Sequence, residues 1–216
     1  MYVDELHELF NSSFRFAFPF EHQKGIIPKN GIYLIFENGE GYKKWDRIVR
    51  IGTHTGDNQL HSRLKQHFVK NNKNRSIFRK NIGRCFLNRD NHKYLQRWEL
   101  DTTSRREKEM NQHLIDVEFE RQLEKEISDY IQSNLSFVVL EINDKSERLF
   151  WEQRVTSTLS GQIHPLPSQT WLGNYSPKEK IREFGLWQVN QLGKQPLSKK
   201  ELQELREVVW KSSDPN

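Results

Sequence analysis

The segment that decides the fold is residues 31–52, which read GIYLIFENGEGYKKWDRIVRIG. Its two ends, residues 31–36 and residues 47–52, are rich in the aliphatic, β-branched and aromatic side chains typical of strands. Because side chains alternate along a strand, Tyr33 lies on one face of the first strand and Leu34 on the other. A polar, glycine-rich loop from Glu37 to Asp46 connects the two ends. The sequence therefore predicts an antiparallel β-hairpin.

An amphipathic helix is predicted directly after the hairpin. Asp57 or Asn58 is placed to cap it by accepting backbone N–H bonds. Its apolar stripe repeats every fourth residue and consists of Leu60, Leu64 and Phe68. Arg63 and His67 are also four residues apart, so their side chains lie one turn from each other beside the stripe. These two residues are candidates for a functional site.

A second strand and helix are predicted further along the chain. The apolar run at about residues 135–142 is typical of a buried strand, and a helix follows at roughly residues 146–160. Near the C-terminus, Ser198 and Glu201 form a capping-box pattern that predicts a last helix.

The composition excludes several classes of protein. The 216 residues include 13 Phe, 6 Trp and 6 Tyr, which supply the bulky core that disordered chains lack. No apolar run approaches the roughly 20 residues that a membrane-spanning helix needs. The single cysteine, Cys85, excludes an internal disulfide and a cysteine-rich zinc site. No secretory signal is visible, so we expect a cytoplasmic protein, and the net charge of +5 weakly favours a polyanionic partner.

Three features occur in a specific order: the motif GIY at residues 31–33, the segment RIG at residues 50–52, and Arg63 four residues before His67. This order resembles the GIY-YIG nuclease family. The first motif matches letter for letter. The second differs, because the family usually has tyrosine where Arg50 stands.

The resemblance implies an α+β fold with a small antiparallel three-stranded sheet flanked by helices. On this basis we expect an N-terminal arm at residues 1–28 and a nuclease core at residues 29–162. Residues 71–134 would insert into the core, with a long helix beginning near Glu107. A helical extension at residues 163–216 would pack on the core.

The C-terminal segments 171–177 and 185–190 resemble a bacterial branch of the family whose members stand alone. The sequence shows no recognisable separate DNA-binding motif. We therefore expect a compact nuclease, of the restriction or defence type.

The resemblance also implies the reaction, which is metal-dependent endonucleolytic hydrolysis of DNA phosphodiester bonds. Tyr33 would be the general base and Arg63 would hold the scissile phosphate with its planar guanidinium. A free tyrosine has a pKa of about 10, so its phenolate form must be favoured by a nearby cation. Arg50 or Arg63 would supply that charge. Arg50 either takes a phosphate contact or pairs with an acid. His67 would orient Tyr33 or relay its proton.

The family also carries a glutamate that holds one divalent metal, Mg²⁺ or Mn²⁺, on a later helix, and two candidates occur here. At 100° per residue, Glu152 falls near Leu149 and Val155 at the edge of the apolar stripe. Glu147 falls on the side of Arg154, which is expected to face solvent. Because a carboxylate beside the core is costly unless it is paired or metal-bound, Glu152 is the predicted metal ligand.

A basic run follows the helix that carries Arg63. Its predicted nucleic-acid contacts are Lys65, Lys70, Arg79 and Arg84. A solvated surface is the simpler interpretation of such a run, and a phosphate-binding surface is the alternative. The acidic residues concentrate instead in the predicted helix between Glu107 and Asp129.

Two other interpretations stay open. The arginine at position 50 would also suit a catalytically inactive nucleic-acid-binding protein with the same fold. A structure in which Tyr33, Arg63 and Glu152 point away from a common cleft would indicate an unrelated protein with a chance motif. We expect DNA as the partner, with RNA as the alternative, and no membrane association.

Overall fold

The computed structural model describes residues 2–23 and 25–213, which form a four-stranded antiparallel sheet between two layers of helices. The strands are β1 (Phe16–Ala17), β2 (Gly31–Tyr42), β3 (Trp45–Gly52) and β4 (Leu135–Glu141). The helices are α1 (Val3–Asn11), α2 (Leu60–Phe68), α3 (Ile77–Arg89), α4 (Leu95–Trp98), α5 (Arg105–Asn111), α6 (Val117–Asn134), α7 (Lys145–Leu159), α8 (Glu179–Phe184) and α9 (Lys199–Ser213). The strand order is β1-β4-β2-β3.

The predicted hairpin is confirmed, because β2 and β3 are adjacent antiparallel strands. Strand β2 is buried on both faces. Tyr33 and Ile35 belong to an apolar core that includes residues of α2, α3 and α6. Ile32 and Leu34 belong to a second core with residues of α1, α7 and α9. The N-terminal and C-terminal helices therefore complete the second core, while Tyr33 lies in the first.

The sheet has one strand more than the three that the resemblance implies. Strand β1 pairs with β4, and Phe16 lies opposite Phe137. The alternating phenylalanines around Phe16 predict an extended segment, and the nearby Pro19 suits only an edge position. The sheet order places β1 at an edge. Its pairing with a strand far along the chain leaves no local signal in the sequence.

The insertion contains two helices, α5 and α6, where one long helix is predicted. Asp116 begins α6, and its side chain accepts a hydrogen bond from the backbone N–H of Phe119. A 3₁₀ turn at Gln112–Leu114 precedes it. The sequence signal is weak here because the charged residues around this N-cap also fit a continuous helix.

One predicted helix start is wrong and another is confirmed. The cap proposed for α2 is wrong, since Gln59 occupies the N-cap position while Asn58 adopts φ 58° and donates its backbone N–H to the Asn30 side chain. The capping box of α9 is confirmed by reciprocal bonds between Ser198 and Glu201. Among the described helices, none is long and apolar enough to cross a bilayer.

Candidate active site

Tyr33 and His67 form a hydrogen-bonded pair between the sheet and α2. The Tyr33 hydroxyl lies 2.7 Å from Nε2 of His67, and Nδ1 of His67 lies 2.7 Å from the Ser76 hydroxyl. Burial lowers the pKa of His67 well below its ordinary value, and the charges of Arg63 and Arg50 lower it further. A neutral imidazole therefore lies between two hydroxyl groups. It can accept a hydrogen bond from one of them and donate a hydrogen bond to the other.

The first helix of the insertion supports this pair. Ser76 is the N-cap of α3, and its hydroxyl also accepts a hydrogen bond from the backbone N–H of Arg79. Phe78, in the first turn, packs edge-on against His67 with ring centroids 5.4 Å apart. The Arg50 guanidinium lies 5.1 Å from the centre of the same phenyl ring. The start of α3 therefore contacts both His67 and Arg50.

Gly52 is required by its position opposite Tyr33 in the hairpin. A Cβ atom at this glycine would lie 2.2 Å from the Tyr33 hydroxyl and 2.4 Å from Cζ. These separations are far below van der Waals contact, and Tyr33 itself is fully buried. The glycine of the second motif thus makes room for the tyrosine of the first.

Glu152 lies on α7 within electrostatic reach of two arginines. Burial raises the pKa of its carboxyl, while the positive charges of Arg50 and Arg63 and the backbone N–H of Thr53 oppose that rise. Glu147, the other candidate, is exposed, as helical geometry predicts. The structure therefore brings Glu152, Arg50 and Arg63 together.

Arg50 lies on the Tyr33 side of the sheet, next to an irregularity in β3. Arg50 pairs with Ile35, whereas the next residue of β2, Phe36, pairs with Ile48. Val49 is thus an extra residue in β3, which is the arrangement of a β-bulge. Because paired residues share a face, Arg50 lies on the face of Ile35, while Ile48 is buried in the opposite core.

The Arg50 guanidinium is almost enclosed, with 6% of the residue exposed. Its Nη1 donates to the backbone carbonyl of Trp187 at 2.5 Å. Within the described part of the chain, its buried Nε has no hydrogen-bond partner. Since Arg50 also acts on the pKa values of Glu152 and His67, it belongs to the same cluster.

Arg63 lines an open pocket of about 280 Å³ beside the loop that follows β3. Its Nη1 donates to Oε1 of Gln66 and to the backbone carbonyl of Arg75, both at 3.1 Å. Both acceptors are uncharged, so they leave the charge of the guanidinium available to an anion. His54 lines the same pocket, where burial lowers its pKa and Nδ1 donates to the carbonyl of Gly56 at 2.6 Å.

The residues present fit a hard divalent cation bound through one carboxylate. Magnesium keeps several of its waters and is often held by one or two carboxylates. Glu152 is partly exposed, so water has access to it. Among residues 2–23 and 25–213, no three His, Cys, Asp or Glu side chains converge into a larger metal-binding group. Glu152 is therefore the residue that would hold the ion.

Two of the four predicted phosphate contacts are wrong. Arg79 is fully buried and pairs with Glu124 at 2.7 Å. Arg84 is also buried, and its Nε and Nη2 donate to the two carboxylate oxygens of Glu99 at 2.6 and 2.5 Å. Both arginines connect α3 to the rest of the insertion, so neither is free to meet a phosphate.

The other two predicted contacts, Lys65 and Lys70, lie where solvent can reach them. Lys65 is partly exposed on α2, and Lys70 is exposed just after that helix. Their contact with nucleic acid stays a prediction.

Sequence reasoning missed several residues around the site. Ser76 carries a local signal, because a serine before an apolar pair is typical of an N-cap. Thr53, Trp187 and Gln188 carry none, because their contacts with Glu152, Arg50 and β3 depend on chain segments that meet only in the fold.

Comparison with known proteins supports the interpretation of the motifs. A search of curated proteins and a search of solved structures gave no significant match. A model of the GIY-YIG domain matches residues 3–215, which include the arm and the C-terminal extension as well as the core. GIY-YIG nucleases act on nucleic acids, so this match implies nuclease activity. The chain belongs to the GIY-YIG domain family.

Proposed function

We propose that the protein is a metal-dependent endonuclease that hydrolyses phosphodiester bonds of DNA. The observation that carries the proposal is the cluster in which Glu152 lies near Arg50 and Arg63, beside the Tyr33–His67 pair. Phosphodiester hydrolysis has a very high barrier and needs a base, positive charge at the phosphate and stabilisation of the leaving oxygen. Each need has a candidate residue in this cluster.

Tyr33 acts as the general base toward the attacking water. In the tautomer whose Nδ1–H donates to Ser76, Nε2 of His67 accepts a hydrogen bond from the Tyr33 hydroxyl and so orients it. Burial and two arginines keep His67 neutral, so this acceptor is available before the reaction.

Arg63 holds the scissile phosphate, because its guanidinium lines the open pocket and its present partners are uncharged. Arg50 is more enclosed and adds positive charge near Glu152 and His67. A divalent metal ion, when held by Glu152, supplies charge that stabilises the departing 3′ oxygen.

The test is cleavage of supercoiled plasmid DNA in Mg²⁺ or Mn²⁺, with EDTA as the blank. Wild type should nick the plasmid only with metal. Arg63→Ala should lose about 100-fold or more in rate, the typical cost of removing one donor that stabilises transition-state charge. Arg97→Ala is the matched control, because Arg97 is an exposed arginine on the short helix α4. Equal rates for the two variants, or no cleavage by wild type, would refute the proposal.

One observation favours a second candidate, a nucleic-acid-binding protein without catalysis. Tyr33 is fully buried, with its hydroxyl against Gly52, so a water molecule reaches it only after some rearrangement. Fluorescence anisotropy with labelled DNA and RNA duplexes separates the candidates. Tight binding without metal-dependent cleavage would support the second candidate, and a preference for RNA would correct the substrate.

A restriction or defence role is part of the proposal. It predicts that wild type protects bacterial cells from phage infection, while Arg63→Ala at equal expression does not. Equal plating of phage on both strains would argue against this role.

A further inference from the structure

The outer edge of β3 is occupied by side chains and backbone from other elements. The carbonyl of Val49 accepts a hydrogen bond from the backbone N–H of Trp187 at 2.7 Å. The N–H of Ile51 donates to Oε1 of Gln188 at 2.9 Å. The N–H of Thr53, the first residue after β3, lies close enough to the carboxylate of Glu152 to oppose the rise in its pKa. Because every second residue of a strand points its backbone groups to the same edge, these are three successive positions along one edge.

Gln188 also reaches the helix that carries Glu152. Its Nε2 donates to Oγ1 of Thr156 at 3.2 Å. Thr156 follows Glu152 by four residues in α7, so the two lie one turn apart on one side of the helix. The Gln188 side chain thus connects Ile51, which lies between Arg50 and Thr53, to the helix turn next to Glu152.

Trp187, the residue before Gln188, forms a hydrogen bond with Arg50 through its backbone carbonyl. The Trp187 carbonyl accepts the hydrogen bond from Nη1 of Arg50, and the Trp187 indole N–H donates to the buried carboxylate of Glu37 at 2.8 Å. Gln188 is only 8% exposed, so its two bonds form in a largely enclosed environment. Leaving a buried N–H such as that of Ile51 without its acceptor is unfavourable, so these bonds favour a fixed geometry.

We propose that Gln188 is a positioning residue, which sets the spacing between the metal-binding carboxylate of Glu152 and the strand that carries Arg50. This inference rests on the proposed function and extends it to the C-terminal segment, which becomes part of the active centre. Groups that orient a metal ligand through hydrogen bonds commonly change metal affinity about 10–100-fold when they are removed.

Two threonines of α7 provide a matched comparison. Thr156 and Thr158 are both fully buried, and both bond to the C-terminal segment. Thr158 accepts a hydrogen bond from the backbone N–H of Leu197 at 2.8 Å and donates to the carbonyl of Arg154. Valine at either position removes the hydroxyl and keeps the shape. Only Thr156→Val breaks the connection from α7 through Gln188 to β3.

The experiment is calorimetric titration of the full chain with Mn²⁺ in the absence of DNA, together with amide hydrogen exchange of β3. Thr156→Val and Gln188→Leu should each raise the Kd for Mn²⁺ about tenfold. Thr156→Ser should stay near wild type, and Thr158→Val should leave the Kd unchanged although it loses a comparable bond. The Ile51 amide should exchange faster only in Gln188→Leu. The double variant should bind no more weakly than Gln188→Leu, because both changes break one connection.

The experiment distinguishes failure of the proposed function from failure of the positioning role of Gln188. If the wild-type chain binds no Mn²⁺ and cleaves no DNA, the proposed function fails and this inference fails with it. If wild type binds Mn²⁺ and Gln188→Leu binds it equally well, only the inference is overturned. An equal loss of affinity in Thr156→Val and Thr158→Val would show a general structural effect and would overturn it as well.

Discussion

Replacement of Gly52 by alanine tests the packing at the centre of the site. The added Cβ atom would meet the Tyr33 hydroxyl at 2.2 Å, Cζ at 2.4 Å and Cε2 at 2.9 Å. Relief requires Tyr33 to move by roughly 1 Å, since ordinary carbon contacts lie near 3.5–4.0 Å. Tyr33 is fully buried, so such a movement must break its bond to His67 or displace the strand.

The expected cost follows from these contacts. Overpacking of a well-packed core costs about 1–3 kcal/mol. Loss of the Tyr33–His67 hydrogen bond in a buried place adds about 1–3 kcal/mol. We therefore expect Gly52→Ala to lower the free energy of unfolding by roughly 2–6 kcal/mol.

Urea denaturation followed by tryptophan fluorescence measures this change. Gly41→Ala is the matched control in the same hairpin, because its added Cβ would have the Trp45 carbonyl oxygen as its nearest neighbour at 3.9 Å, an ordinary contact. That variant should stay within about 1 kcal/mol of wild type. A Gly52→Ala protein as stable as Gly41→Ala would refute the packing of Tyr33 against Gly52.

Three further predictions concern other parts of the molecule. Arg79→Met should lower the free energy of unfolding by about 3–5 kcal/mol in urea denaturation, because it leaves Glu124 buried without its partner; a change near zero would contradict the buried pair. Burial lowers the pKa of His7 from 6.5 to about 4, so the folded state resists protonation that the unfolded state accepts. The stabilisation from neutral His7 is complete above pH 6.5 and is lost as pH falls toward 4. Relative to His7→Gln, wild type should thus lose roughly 3 kcal/mol over that interval in denaturation at a series of pH values, and parallel curves would contradict it. Lys70→Ala should reduce the slope of log affinity for DNA against log salt concentration by about 1, and an unchanged slope would remove Lys70 from the interface.

The hairpin and the helix after it were predictable from local patterns. The run of strand-forming apolar residues in 31–36 specifies a strand, and Leu60, Leu64 and Phe68 specify the buried side of α2. The choice of Glu152 over Glu147 used helical geometry together with the cost of a carboxylate beside the core, and the exposure of Glu147 agrees with it.

The bulge at Val49 and the edge contacts of β3 were not predictable in this way. A bulge depends on the pairing between two strands, and the contacts of Trp187 and Gln188 join residues far apart in sequence. Arg79 and Arg84 show the same limit, because a basic run in a sequence does not indicate which of its members pair with a carboxylate of the same chain. Their partners, Glu124 and Glu99, come from other helices or loops of the insertion.

We propose that Glu152, near Arg50 and Arg63, is the carboxylate of a metal-dependent nuclease centre. The most direct measurement compares the Mg²⁺-dependent nicking rates of wild type, Glu152→Gln and Glu147→Gln on supercoiled plasmid. Both changes remove one negative charge from α7, but Glu147 is exposed. We expect Glu152→Gln to lose about 100-fold or more and Glu147→Gln to stay within about twofold of wild type. Cleavage by Glu152→Gln at the wild-type rate would contradict the account.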